Sequence, residues 1–142
     1  MGSPSPNRLG LRALQVLVVE DAADAREALV ELVKTFGAEA WGAEDGEEAF
    51  RAVLDRPPDL ILCDLQMPGL DGFGFVRRLR RHPRFQRILT VAVSGLGESL
   101  DIAMSREAGF DGHIVKPITV ETIVRLLGRA LDVHDDSSPP GA

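Results

Sequence analysis

Short apolar runs alternate with amphipathic stretches along most of the chain. Leu14–Val19, Leu60–Cys63, Ile88–Val93 and the shorter Gly112–Val115 are continuous and rich in Val, Ile and Leu, and Ala38–Gly42 is a weaker fifth run. A strand with one wet face alternates apolar and polar residues. Unbroken apolar runs of this length therefore predict strands covered on both faces. Between them, apolar residues return at helical spacing. Ala25, Leu29, Leu32, Val33 and Phe36 form one stripe, and Val120, Ile123, Val124, Leu127 and Leu131 form another. Weaker stripes run through Glu47–Leu54, Phe73–Arg80 and Leu100–Ala108. Gly37 and Gly109 stand where helix C-caps belong. Strands alternating with helices in this way predict βαβ units, and so an α/β fold: a doubly wound, five-stranded parallel sheet with five helices on its two faces.

A chain of 142 residues suits one domain with a core of its own. We place it at residues 13–133, between a flexible flank (1–12) and a disordered tail (134–142), both rich in Pro, Ser and Gly. No apolar run approaches the ~18–20 residues that cross a bilayer, and the first residues lack the pattern of a secretory signal. A cytoplasmic protein without a membrane partner is expected. The net charge of −6 argues against a general footprint for nucleic acid. The single Cys63 excludes an intrachain disulfide and a cysteine zinc site, and suits a reducing compartment.

Polar groups stand at telling places. Glu20 and Asp21 follow Leu14–Val19, Asp64 follows Leu60–Cys63, Ser94 follows Ile88–Val93 and Lys116 follows Gly112–Val115. In an open parallel sheet the carboxyl ends of the strands share one edge, where ligands bind. Residues far apart in sequence are thereby gathered into one crevice. Three carboxylates packed there repel one another and recruit a cation or raise their pKa values. Hard oxygen donors with room for water favour Mg²⁺. A cation keeps Asp64 ionised and able to attack phosphorus as a nucleophile. Lys116 and the Ser94 hydroxyl then match the charge spread over phosphoryl oxygens.

These anchors carry a resemblance. Val18-Val19-Glu20-Asp21, the stretch Asp64-Leu65-Gln66-Met67-Pro68-Gly69-Leu70-Asp71-Gly72, Ser94 and Lys116-Pro117 look like the motifs of two-component response-regulator receivers, over about Leu14 to Leu131. The resemblance implies a flavodoxin-like strand order, 2-1-3-4-5. It implies that Asp64 takes a phosphoryl group from the phosphohistidine of a histidine kinase or a histidine phosphotransfer protein. Asp21 and Asp64 then ligate Mg²⁺ directly, Glu20 through water, and the backbone carbonyl of Gln66 completes the protein ligands. Lys116 pairs with phosphoryl oxygens across a cis Lys116–Pro117 bond, and Ser94 is the switch hydroxyl. The family signals through a protein-interaction surface read by a downstream protein, whose identity the sequence does not disclose. No output domain is expected in this chain, whether it is a stand-alone regulator or a receiver separated from a larger protein. No turnover is expected beyond self-catalysed phosphotransfer and slow autodephosphorylation.

Two positions depart from the usual receiver pattern. Glu20 stands where many receivers carry Asp, a longer arm that preserves metal binding. His113 stands where many carry a switch Tyr or Phe, and being smaller and polar it is expected to stay at the surface as a partner contact. The wording Gly109–Pro117 is similar to receivers fused to hybrid sensor kinases. Other readings weaken on particular residues. A haloacid-dehalogenase-type phosphatase needs a second Asp two residues after its nucleophile, where this chain has Gln66. A binding-only pseudo-receiver would lack some of the acidic or Lys positions, and all are present. Gly95-Leu96-Gly97 lacks the third glycine of a dinucleotide loop, having Leu100 instead, and reads as a switch loop. Asp71-Gly72 reads as turn and cap chemistry, the arginines from Arg77 to Arg87 as a solvated face, and Cys63 as a small buried hydrophobe. His82, His113 and His134 have no metal-ligand spacing.

Overall fold

A computed structural model describes residues 14–65, 72–95 and 99–136. The order is β1 (Gln15–Val19), α1 (Ala23–Thr35), β2 (Glu39–Ala43), α2 (Gly46–Asp55), β3 (Leu60–Asp64), α3 (Gly72–Arg81), a 3-10 turn at Pro83–Phe85, β4 (Leu89–Ser94), α4 (Ser99–Ala108), β5 (Gly112–Val115) and α5 (Val120–Asp136). All strand pairs are parallel, in the order β2-β1-β3-β4-β5. The five expected strands and their order are therefore present, and β2 lies one residue later than its weak run suggested. Residues 1–13 and 137–142, which contain most of the expected flank and tail, lie outside the described residues, as do Gln66, Met67, Pro68 and Asp71. Helix α5 continues to Asp136, past the domain limit expected at 133.

The unbroken apolar runs are explained by burial on both sides. Leu17, Val19, Ile61, Cys63 and Ala92 point to one face, where they pack with Phe50 of α2 and Phe75 and Leu79 of α3. Val16, Val18, Leu62, Val91 and Val93 point to the other, against Val33 of α1 and Ile123 and Leu127 of α5. Alternate residues thus enter alternate cores, the period-2 geometry of a strand. The stripe of α5 sits differently from expectation. Ile123, Leu126, Leu127 and Ala130 are the buried residues, whereas Val120 is 53% exposed. Val120 stands in the first turn of α5, and the buried face is the i, i+3, i+4, i+7 set that begins one turn later, at Ile123.

Local chemistry closes the helices. Gly37 and Gly109 have φ of 99° and 119°, a left-handed conformation favouring glycine after α1 and α4. Asp45 caps α2 by accepting from the Glu48 N–H at 2.8 Å, and the Glu48 carboxylate accepts from the Glu44 N–H at 2.9 Å. The arginine cluster is not uniformly solvated. Arg78 stacks 4.0 Å over Phe50. Arg80 donates to the carbonyls of Gly109, Phe85, Gln86 and Ile88 and pairs with Asp111 at 2.8 Å. Asp111 also accepts from the Thr90 N–H, so Arg80 ties α3 to the starts of β4 and β5. His82 stacks on Phe85 at 4.3 Å and accepts from the Arg84 N–H, a structural use consistent with its lack of metal spacing.

Gly72, expected as turn and cap chemistry, has a steric reason as well. A methyl group there would sit 2.5 Å from the Asp64 carbonyl oxygen and 3.0 Å from the Leu65 Cα. Both are backbone atoms that cannot step aside. Glycine-to-alanine changes in helices ordinarily stabilise, but Gly72→Ala is expected to destabilise by roughly 1–3 kcal/mol through overpacking against the end of β3. Urea unfolding checks the sign, and an unchanged or raised midpoint would contradict this packing.

Candidate functional site

The carboxyl ends of β1, β3, β4 and β5 meet at one edge of the sheet. Glu20 leaves β1 with its N–H donating to the Ala43 carbonyl at 3.0 Å, and Asp21 follows it into α1. Asp64 is the last residue of β3, and the Leu65 N–H continues the ladder to the Val93 carbonyl at 3.1 Å. The Lys116 N–H donates to the Ser94 carbonyl at 2.8 Å, which brings the end of β5 against that of β4. The strands that carry Glu20, Asp64 and Ser94 are buried along almost their whole length, whereas β5, which leads to Lys116, is only partly buried.

Glu20, Asp21 and Asp64 each present a carboxylate oxygen within 4.8 Å of the others. Glu20 and Asp64 are buried and Asp21 is exposed, which leaves the cluster open to solvent on one side. Glu20 is held at both oxygens. Oε2 accepts from the Ala22 N–H at 3.1 Å and Oε1 from Lys116 Nζ at 3.2 Å. Arg26 Nη1 donates to the Glu20 carbonyl at 2.9 Å. The longer arm of Glu at this position is thus used to cap the approach to α1 and to reach the lysine. Lys116 Nζ also lies 3.5 Å from Asp64 Oδ2 and so bridges two of the three carboxylates. The Lys116–Pro117 peptide is cis, as the resemblance implied.

Of the residues singled out in the sequence, Glu20, Asp21, Asp64, Lys116 and Ser94 come together, and Gln66 lies outside the described residues. Ser94 is buried, and its hydroxyl lies 3.2 Å from the Nε2 of His113. The expected surface position of His113 holds only in part: the imidazole is half-buried and also engages Ser94, because β5 carries it beside β4. Cys63 is buried, with its thiol 3.3 Å from the Asp64 carbonyl, in keeping with a small hydrophobe.

Sequence reasoning missed one feature of the site. An apolar cavity of about 390 Å³ opens beside Asp64 and Lys116, walled by Ala25, Leu29 and Leu32 of α1 and by Pro117 and Ile118. Those α1 residues belong to the helical stripe of α1, of which Val33 is buried and Leu29, Leu32 and Phe36 pack against the core, while Ala25, Leu29 and Leu32 also border the cavity. Periodicity alone cannot tell a residue that fills a core from one that lines a cleft.

Burial lowers the Lys116 pKa, but the hydrogen bond to Glu20 and the charges of Asp64 and Glu20 outweigh it, leaving the ammonium above its ordinary value. A lysine whose folded pKa is raised contributes stability in full below its unfolded pKa and loses it as pH rises through the folded value. Lys116 is 40% exposed, so solvent screens the effect. With divalent ions chelated, the stability advantage of wild type over Lys116→Met is expected to shrink as pH climbs above the ordinary lysine range, about 10.4. Thermal unfolding across the alkaline range checks it; an advantage independent of pH would contradict the pairing.

A family model for the response regulator receiver domain matches residues 16–128. The chain is 39% identical over 132 residues to a gliding motility regulatory protein of Myxococcus xanthus, covering 93% of this chain and 17% of that protein. Curated relatives of the phosphate-regulon type are matched over about half their length, 51% in one case. In structure it is similar to the receiver domain of a signal transduction histidine kinase from Syntrophus aciditrophicus, with a TM-score of 0.80, 28% identity and coverage of 92% of this chain and 98% of that one. It also shares its fold with the receiver domain of a sensor histidine kinase from Pseudomonas aeruginosa PAO1, described with a magnesium ion coordinated in the active-site cleft, with a TM-score of 0.78, 24% identity and coverage of 84% and 98%. Among the described residues no helix is long and apolar enough to cross a membrane. With a matching family model over most of its length and a parallel five-stranded sheet whose strand ends gather the acidic cluster and the lysine, the chain belongs to the response regulator receiver domains of two-component signalling.

Proposed function

We propose that Asp64 is the phosphoacceptor of this receiver and that the domain works as a phosphorylation-dependent switch. The observation that carries the reading is the position of Lys116 Nζ, 3.2 Å from Glu20 and 3.5 Å from Asp64, within a triad of carboxylates at the strand ends. One of these groups must act as nucleophile and the others as charge carriers. Asp64 is the central choice because it is buried at the end of an inner strand, flanked by the ends of β1 and β4.

The donor set fits a hard divalent cation: carboxylate oxygens only, close together and open to water on the Asp21 side. Glu20, Asp21 and Asp64 would hold Mg²⁺, with the Gln66 carbonyl as the remaining protein ligand. When bound, Mg²⁺ offsets the repulsion between the carboxylates and the charge of an incoming phosphoryl group. The chain's own groups do the rest. Asp64 attacks phosphorus, a P–O bond forms, the P–N bond of the donor's phosphohistidine breaks, and the imidazole leaves with the bonding pair and takes up a proton. Lys116, cationic well past neutral pH, pairs with a phosphoryl oxygen. Ser94 offers its hydroxyl to another.

A histidine kinase or histidine phosphotransfer protein is the proposed donor. The apolar wall of Ala25, Leu29, Leu32 and Ile118 beside the acidic cluster suits the apolar face of a donor helix that must bring its histidine within reach of Asp64. The anionic surface of the chain, with a net charge of −6, supports a protein donor and a protein target over nucleic acid.

Acetyl phosphate, an activated donor that needs only the electrostatics of the site, is expected to add one phosphoryl group in the presence of Mg²⁺. Asp64→Asn is expected to abolish the adduct, because an amide is a poor nucleophile. Intact mass before and after incubation reads both outcomes. An undiminished mass shift in Asp64→Asn would contradict the assignment.

A further inference from the structure

His113 is where this chain departs most from a receiver with an aromatic switch residue, and its surroundings give the departure a use. The β4–β5 register pairs Ala92 with His113 and Ser94 with Val115. The imidazole therefore reaches diagonally, along the neighbouring strand, to Ser94. Its Nε2 lies 3.2 Å from Oγ, within hydrogen-bonding distance. Ser94 is buried, at 1% exposure, so solvent does not compete freely for the hydroxyl.

We propose that His113 is a positioning residue for phosphoryl transfer: its Nε2 holds the Ser94 hydroxyl in the unphosphorylated state, and a phosphoryl group on Asp64 must draw the hydroxyl away from that partner. The inference rests on the reading of Asp64 as acceptor and adds a restraint on the switch. A serine hydroxyl has one proton. If Nε2 accepts, that proton is committed to the ring, and a phosphoryl oxygen gains it only by breaking the bond. If Nε2 carries the hydrogen, the hydroxyl accepts it, and moving away strips a half-buried N–H of its acceptor. Either tautomer opposes the move. A phenyl ring would pack at the same place and oppose nothing.

A small cavity of about 50 Å³ adjoins His113, lined by Ile102, Ser105, Phe110 and Gly112. It gives room for the slightly larger ring of His113→Phe, which is expected to fold. The first measurement is the initial rate of adduct formation with acetyl phosphate and Mg²⁺. His113→Phe is expected to raise it by about twofold to tenfold, the worth of one ordinary hydrogen bond. In a Ser94→Ala background the same substitution is expected to change nothing, since its effect runs through the hydroxyl. An unaltered rate in His113→Phe, or an equal change in both backgrounds, would overturn the proposal.

The second measurement needs no phosphoryl group. The imidazole ¹⁵N resonances of His113 are assigned by their loss in His113→Phe and compared between wild type and Ser94→Ala. The Nε2 resonance is expected to move more than Nδ1, and an unchanged spectrum would overturn the latch. If wild type forms no adduct at all, that result counts against Asp64 as acceptor, and the ring spectrum still decides the role of His113.

Discussion

Three carboxylates brought together by strand ends repel, and the lysine between them is what this protein sets against that repulsion. Glu20 and Asp64 are buried, which removes much of the water that would otherwise screen them. Lys116 touches both. The arrangement is held in place by groups that do no chemistry. Apolar residues alternate into two cores along β1, β3 and β4, and parallel pairing fixes where each strand stops. A parallel sheet buried on both faces has few ways to relax a misplaced end, so the strained cluster stays assembled.

The sheet also separates two surroundings of the cluster. On the α1 and α5 side lies the apolar cavity, whose wall of small and branched residues suits a docking helix. On the opposite side, Ser94 and His113 meet beside α4. In the proposed function a donor approaches from the first side and the hydroxyl that answers the phosphoryl group is restrained on the second. Asp64, at the end of an inner strand, stands between them. Arg80 stiffens the far end of the same region, joining α3 to the starts of β4 and β5 through Asp111.

Much of this was legible in the residues. The runs Leu60–Cys63 and Ile88–Val93 declared doubly buried strands, and the polar groups after them declared the crevice. Gly37 and Gly109 marked helix ends through a backbone conformation few other residues accept. Helical faces were less legible. Val120 belonged to a plausible stripe yet is exposed, because spacing alone does not fix which of several overlapping helical stripes is buried. The same limit hid the cavity beside α1. The Ser94–His113 contact depends on the register of β5 against β4, a quantity set by packing and loop length and carried by no motif. Arg80 looked like one of several surface arginines, and only the fold showed its ring of carbonyls.

The central claim is that Glu20, Asp21 and Asp64 form a cation site that Lys116 only partly neutralises. A cation that binds only the folded state raises the melting temperature by mass action. Thermal melting of wild type and Asp21→Ala with and without Mg²⁺ therefore tests the claim most directly. The account predicts a clear Mg²⁺-dependent rise for wild type and a much smaller one for Asp21→Ala; equal rises in the two proteins would contradict it.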